Sequence, residues 1–248
     1  MAVYLKKFNT TQEHTNYTLS AQYREPYASA ISDDEVYFNQ YDNEYYINTD
    51  EYIVKSYLRS PGHNTYGSLI DTGIRASNRL RIVYRGGMWK KGSDWGFPFG
   101  YRISSGNSTH TYMGISYDTY TFTVSIRNAT FTGAPLPLND LKMHTIDVSL
   151  QRLIIDDVEY PNTNENKDEA WTATGGYMYI FGLGTNNKSY DGNSPDYFTM
   201  YYCKMYEGDT LVRDFIPAQR KSDSIYGMYD CVNKQFYTSK NGTNFTGG

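Results

Sequence analysis

The sequence predicts an all-β fold, an antiparallel two-sheet jelly-roll sandwich with a small N-terminal αβ appendage, and three observations predict it. Apolar and polar residues alternate with a period of two along most of the chain beyond residue 51, the spacing that sends side chains to opposite faces of a strand. Clusters of Gly, Pro, Asn and Asp interrupt this alternation roughly every ten residues, as short hairpin-linked strands require. Tyrosine is over-represented, at 27 Tyr against 11 Phe and 3 Trp. Its ring packs on a half-buried pleated surface while its hydroxyl reaches water, so it suits strands wet on one side.

The first 50 residues differ from the rest. "TTQE", with Thr10 and Glu13, has the form of a capping box and predicts a short helix across "QEHTNYTLSAQY". "DDEVYFNQYDNEYYIN" predicts a β-hairpin, with Val36 and Phe38 alternating around Tyr37, a turn at "NQYDN", and a return at Tyr45 to Ile47. Residues 1–50 are therefore read as a small αβ appendage and residues 51–248 as the sandwich domain.

Beyond this point "EYIVKSYLRS" reads as one strand, "SLIDTGI" as a short apolar one, and "RLRIVYR" as a longer alternating one. "GFPFGYRI", "THTYMGISYD", "TYTFTVSIRN" and "HTIDVSLQRLIID" continue the series. "TGGYMYIFGLG" predicts Tyr177, Tyr179 and Phe181 on one face and Met178 and Ile180 on the other. "YFTMYYCKMYEGDTLVRDF" folds around an "EGDT" turn, and "SIYGMYD" pairs with "KQFYTS" through "CVN". "EYPNTNENKDEAW", acidic and Asn-rich, predicts an exposed loop.

Composition excludes several classes of function. With 39% hydrophobic and 20% charged residues over 248 positions, the chain is globular and long enough for one well-buried core. A net charge of −4 without a Lys/Arg run argues against nucleic acid as a partner. "MAVYLKKFNTTQEH" has no apolar run after its lysines, and no segment has the length and apolarity of a membrane span, so synthesis in a cytosol and no membrane partner are expected. Cys203 and Cys231 are expected as free, buried thiols.

Four pieces, "SLIDTGIRASNRLRIVYR", "HTIDVSLQRLIIDDVEY", "YMYIFGLGTNN" and the stretch from "YYCKMYEGDTLVRDFIPAQRK" to the final "FTGG", together resemble the concanavalin A-like (laminin-G-like) jelly-roll domains of phage and gut-bacterial surface proteins. The resemblance covers residues 52–248. It implies that "DTGI" opens the first long strand, that the "LIIDDV" hairpin forms a sheet edge, and that "LVRDFIPA", "GMYD" and "FYT" close the sandwich. The leader "YLKKFNTTQEHTNY…PYASAISDDEVYFN" resembles that of virion proteins from Bacteroidales (crAss-like) phages. It implies localisation in a virion, with the capsid or other virion proteins as partners and a homo-oligomeric arrangement.

Three candidate sets of site residues emerge. Trp89, Asp94 and Trp95 in "MWKKGSDWGFPFGY" combine flat aromatic faces with hydrogen-bonding groups, as a bacterial surface glycan requires; the plainer reading places Trp95, Phe97 and Phe99 along one strand facing the core. Asp191, Asn193 and Asp196 in "YDGNSPDYF" are oxygen donors suited to calcium, but they also belong to the ordinary turn alphabet, and no cofactor is otherwise expected. Tyr4, Leu5, Phe8, Val36 and Phe38 form the expected virion-attachment patch. No paired carboxylates of glycosidase type are visible, since Asp156 and Asp157 read as a hairpin turn, and His14, His63, His110 and His144 are scattered. Arg213 with Asp214, and Arg220 with Lys221, read as groups for a sheet-edge ion pair or a subunit contact. The expected function is a non-enzymatic phage structural protein, namely a capsid decoration, head fibre or tail accessory. A lectin-like adhesin is the alternative, and a glycan hydrolase is disfavoured.

Overall fold

Strand pairing organises every regular element in this computed structural model, which describes residues 5–8, 36–39, 44–45, 51–60, 69–88, 96–102, 111–116, 121–126, 129–132, 142–161, 172, 177–182, 184–185, 198–240 and 244–248. No helix occurs among the described residues. Strands β1 (Leu5–Phe8), β2 (Val36–Asn39) and β3 (Glu44–Tyr45) make a small antiparallel sheet. The anticipated hairpin is its β2–β3 half, with Phe38 opposite Tyr45. The helix expected across "QEHTNYTLSAQY" lies outside the described residues.

The remaining strands are β4 (Tyr52–Val54), β5 (Leu58–Arg59), β6 (Ile70–Asp71), β7 (Leu80–Met88), β8 (Gly96–Arg102), β9 (Thr111–Ser116), β10 (Thr121–Ile126), β11 (Ala129–Thr132), β12 (His144–Val148), β13 (Arg152–Ile155), β14 (Val158–Pro161), β15 (Tyr179–Ile180), β16 (Gly184–Thr185), β17 (Phe198–Glu207), β18 (Thr210–Arg220), β19 (Tyr226–Asp230), β20 (Gln235–Tyr237) and β21 (Thr246–Gly247). The larger sheet runs β14-β13-β12-β7-β17-β18-β19-β20, with β4 beside β18, β5 beside β17 and β21 beside β5. The smaller runs β11-β10-β9-β8-β15-β6. All pairs are antiparallel except β16 with β8.

The two sheets close on a shared core, as a β-sandwich does. Alternate residues of β7 and β17 (Ile82, Tyr84, Met200, Cys203, Met205) point inward with Phe215 and Leu153. They meet Ile70, Phe99, Tyr101, Ile180 and Phe181 of the smaller sheet. Tyr84 stands edge-on to Phe99 at 5.5 Å between centroids, which ties the layers at their middle. Each such ring or aliphatic chain removed from water contributes about 2 kcal/mol. Phe99 thus confirms the core reading of "GFPFG" for its own position; Trp95 lies outside the described residues.

The alternation misled at several places. "EYIVKSYLRS" is two strands, because Val54 pairs with Ala218 while Leu58 pairs with Met200, so the chain steps between neighbours midway. "DTGI" does not open the long strand: Ile70 and Asp71 belong to the smaller sheet, and the long strand begins only at Leu80. In "YMYIFGLG" the two-residue period stops at Phe181, whose φ of 62° turns its ring to the same core as Ile180. That residue is held by its amide donating to the Pro98 carbonyl and by its ring packing, tilted at 41°, against Phe245 at 5.3 Å between centroids. Strand β11 was not anticipated. The "LIIDDV" hairpin is an edge hairpin as expected, with Asp156 and Asp157 at φ 46° and 70°. Two consecutive positive φ values belong to the turn that matches strand twist, and Asp tolerates them.

A second, smaller cluster sits on the opposite face of the larger sheet, where Val54, Ile216, Ala218, Tyr229 and Cys231 pack with Tyr52 and Phe236. Cys203 is in the main core and Cys231 in this outer cluster. Both thiols are free and buried, and burial pushes both pKa values up.

Two outcomes follow. Gly87 lies where an added Cβ would stand 2.0 Å from the Lys142 carbonyl oxygen, a backbone atom that cannot turn aside. Gly87→Ala is expected to cost about 3 kcal/mol, read as a lower midpoint in urea denaturation. A thiol reagent at neutral pH should leave Cys203 and Cys231 unreacted in the native protein and label both in denaturant, because reaction needs an exposed thiolate.

Candidate functional site

Charged groups gather at three places in the sandwich, and each has a structural logic. The first is buried. Asp230, fully shielded from solvent, accepts hydrogen bonds from the amides of Asp214 and Val232 at 3.0 and 3.1 Å and from the Asn233 side chain at 2.6 Å. Arg213 approaches it at 3.5 Å and donates to the Thr72 carbonyl at 3.0 Å, which links β18 to the smaller sheet beyond β6. Next along β18, Asp214 faces the other way and pairs with Lys204 of β17 at 2.9 Å. The neighbours Arg213 and Asp214, read from the sequence as exposed edge groups, are instead mostly buried and serve opposite faces of the sheet. Strand alternation separates them, and burial then requires a partner for each. Arg220 does form a surface pair, with Asp223 at 2.5 Å, and this depresses the Asp223 carboxyl.

The second cluster joins the layers at their margin. Lys240 donates to Asp71 at 2.9 Å and to the Tyr179 hydroxyl at 2.6 Å, while its amide donates to the Leu69 carbonyl. Tyr179 also donates to Asp71 at 3.2 Å. Burial raises the Tyr179 pKa, so it stays a neutral phenol that bridges a lysine and a carboxylate. The third pair is His144 with Asp156, 2.5 Å apart, the Asp156 carboxylate also accepting from the Thr145 amide at 2.9 Å. It anchors the β13–β14 turn to β12. Sequence reading missed this pair, for nothing in a twelve-residue separation reveals that two turns of the ladder bring its ends together.

Outside the core, the larger sheet carries a row of cations and tyrosines. Arg81 binds Asp147 in bidentate fashion at 2.8 and 2.7 Å and lies over the Tyr206 ring at 5.0 Å. Further along the same face, Arg85 lies 5.9 Å from the Tyr201 ring and Arg59 lies 4.5 Å over Tyr57, the two rings being 6.3 Å apart. A bulge places Tyr201 there: Met200 pairs with Gly86 and Tyr202 with Arg85, leaving Tyr201 as the extra residue. Bulges of this kind re-aim a side chain out of the sheet.

The residues singled out from the sequence fare unevenly. Trp89, Asp94, Trp95, Asp191, Asn193, Asp196 and Tyr4 lie outside the described residues. Met88 and Phe198, the described residues that flank the first two sets, are cross-strand partners. Leu5, Phe8, Val36 and Phe38 lie on β1 and β2, where the register sets Phe8 opposite Val36, Lys6 opposite Phe38 and Leu5 opposite Asn39. Among the described residues no three His, Cys, Asp or Glu side chains gather as a metal site.

No family model matches the chain, and no curated protein matches it. Among solved structures it is similar to the full extracellular region of zebrafish Gpr126/Adgrg6, at 12% identity with a TM-score of 0.47. That likeness covers 77% of this chain and 26% of the other, so the chain spans about a quarter of that protein's length. A likeness this distant assigns no activity.

Two measurements test the polar architecture. Asp230→Ala leaves Arg213 and three donors without their acceptor and is expected to cost about 4 kcal/mol in unfolding free energy. Tyr229 is buried beside Cys231, and burial foremost pushes its pKa up to about 12. A phenol with a raised folded-state pKa contributes stability that is complete below the unfolded value of about 10 and is lost as pH rises through the folded one. Ultraviolet titration should thus show late-ionising tyrosine, with denaturant stability falling between about pH 10 and 12. Ionisation of every tyrosine near 10 in the folded protein would contradict it.

Proposed function

We propose that this chain is a non-enzymatic structural protein of a phage particle, in which a concanavalin A-like jelly-roll domain is displayed outward and the N-terminal segment holds it in place. One observation carries the non-enzymatic part. The charged groups that meet inside the described sandwich are spent on cohesion. Arg213, Asp230, Asp214 and Lys204 satisfy backbone and each other, Lys240 and Asp71 strap one sheet to the next, and Asp156 fixes a turn. A reaction centre instead holds groups poised toward a substrate. The phage context comes from the motif resemblance of the leader and the final forty or so residues. The separate three-stranded sheet formed by β1, β2 and β3 supports a distinct role for the leader. Such a module works by number: many copies on a symmetric shell give avidity to any weak contact each domain makes.

A second reading is a lectin-like module for bacterial surface glycans. It is favoured by the outward row of Tyr57, Arg59, Tyr201 and Arg85, since aromatic and guanidinium groups placed on a sheet face are the usual currency of recognition.

Mass spectrometry of purified particles from the producing host tests the first reading; the chain should appear at a fixed ratio to the major capsid protein, and its absence from particles would refute it. Removing residues 1–50 should leave a folded, soluble sandwich that no longer enters particles. Incorporation of the shortened chain at the full ratio would show that the leader is not the anchor.

A further inference from the structure

The stacked row on the larger sheet has a chemistry more specific than general stickiness. It crosses three strands: Arg85 on β7, Tyr201 on β17, and Tyr57 with Arg59 on or beside β5. β7 and β5 lie on opposite sides of β17, so the two arginines sit about two strand spacings, roughly 10 Å, apart. Each guanidinium covers a face of its neighbouring ring, and the two rings tilt toward one another at 59°. Those ring faces are occupied. Arg59 also donates from its Nε to the Thr199 hydroxyl at 3.1 Å, so the exposed guanidinium of the row is that of Arg85, with its planar fork of N–H donors. Arg85 is exposed, and among the described residues no carboxylate lies within ion-pair distance of it. Along the same face Arg81 and Lys204, by contrast, each have an aspartate.

We infer that the Tyr57–Arg59–Tyr201–Arg85 row is a binding site for a carboxylate-bearing polysaccharide, one built of uronic acid units. This rests on the lectin-like reading and names the ligand class within it. Three features of the row select that class. It is locally cationic in a chain of net charge −4, so a ligand's negative charge meets its complement here. It is rich in donors and lies flat on a sheet, which matches a polymer whose surface is hydroxyl and carboxylate oxygen. A protein partner would bring apolar anchors that need a pocket, and the stacked guanidiniums fill the ring faces such anchors would use. Arg85 supplies the bidentate fork for a carboxylate, Arg59 and its ring a second contact further along the polymer, and the Tyr201 and Tyr57 hydroxyls bond to sugar oxygens between them. The bulge at Tyr201 brings that phenol into the row.

Affinity electrophoresis of the full chain in gels containing polygalacturonate, dextran or polyglutamate tests this at physiological ionic strength. Retardation is expected in polygalacturonate alone. Arg85→Gln should weaken it about tenfold, the worth of one charge-assisted bidentate contact. Arg85→Lys, which keeps the charge and loses the fork, should fall between the two. Thermal melts should be unchanged in both variants, because Arg85 is on the surface; should the Gln variant melt early, the Lys variant carries the comparison. Equal retardation in dextran would overturn the carboxylate class while leaving the lectin-like reading standing. Equal retardation in polyglutamate would show general attraction of polyanions and overturn the saccharide assignment. Undiminished binding by Arg85→Gln would remove the site from this row, and no retardation in any gel would defeat both the inference and the lectin-like reading.

Discussion

The ladder between Leu80–Met88 and Phe198–Glu207 is the constraint on which the rest of the sandwich depends. These two strands are far apart in the chain, and their pairing sets the larger sheet's register in both directions, toward β12 on one side and β18 on the other. Slipping it by one residue would move Tyr84, Cys203 and Met205 to the wet face and carry Arg85 and Lys204 inward, a reversal no neighbouring strand could accommodate. Such long-range pairing places the fold in the slow, non-local class of β proteins.

Once that ladder is in place, burial and electrostatics divide the work. The apolar side chains between the sheets supply most of the driving force, at about 25 cal/mol for each Å² removed from water. The buried ions add little net stability, because desolvating Asp230 and Asp214 consumes most of what pairing returns. What they add is uniqueness. Asp230 is satisfied only if the 230–233 turn, the Asp214 amide and Arg213 are all in position, and Arg213 in turn requires Thr72 of the other sheet. The network therefore specifies how the layers are aligned, where an oily interface by itself would tolerate sliding.

The same division explains why the outward face is the place to look for recognition. Inward groups are committed to packing and alignment. On the outward side of β7, Arg85 is held as firmly, since its backbone is the central ladder, yet its polar end remains in water. A rigid scaffold with adaptable polar ends loses little entropy on binding.

Much of this was legible in the sequence, and the reason is local. Period-two alternation in "RLRIVYR", "HTIDV" and "YYCKMYE", and the turn residues of "IIDDVEY" and "YEGDT", are set by backbone sterics and by which side of a pleat each residue occupies, properties of neighbours in the chain. Hence the all-β class, the edge hairpin at Asp156 and Asp157, the closing β18–β19–β20 meander and the two free thiols could be read directly. Tertiary structure alone decided the rest. The break within "EYIVKSYLRS", the assignment of Ile70 and Asp71 to the smaller sheet, the reversal at Phe181, the meeting of His144 with Asp156 and the alignment of Tyr57, Arg59, Tyr201 and Arg85 all depend on which distant strand lies alongside. That choice is made by the summed burial of many side chains, which no short window of sequence contains.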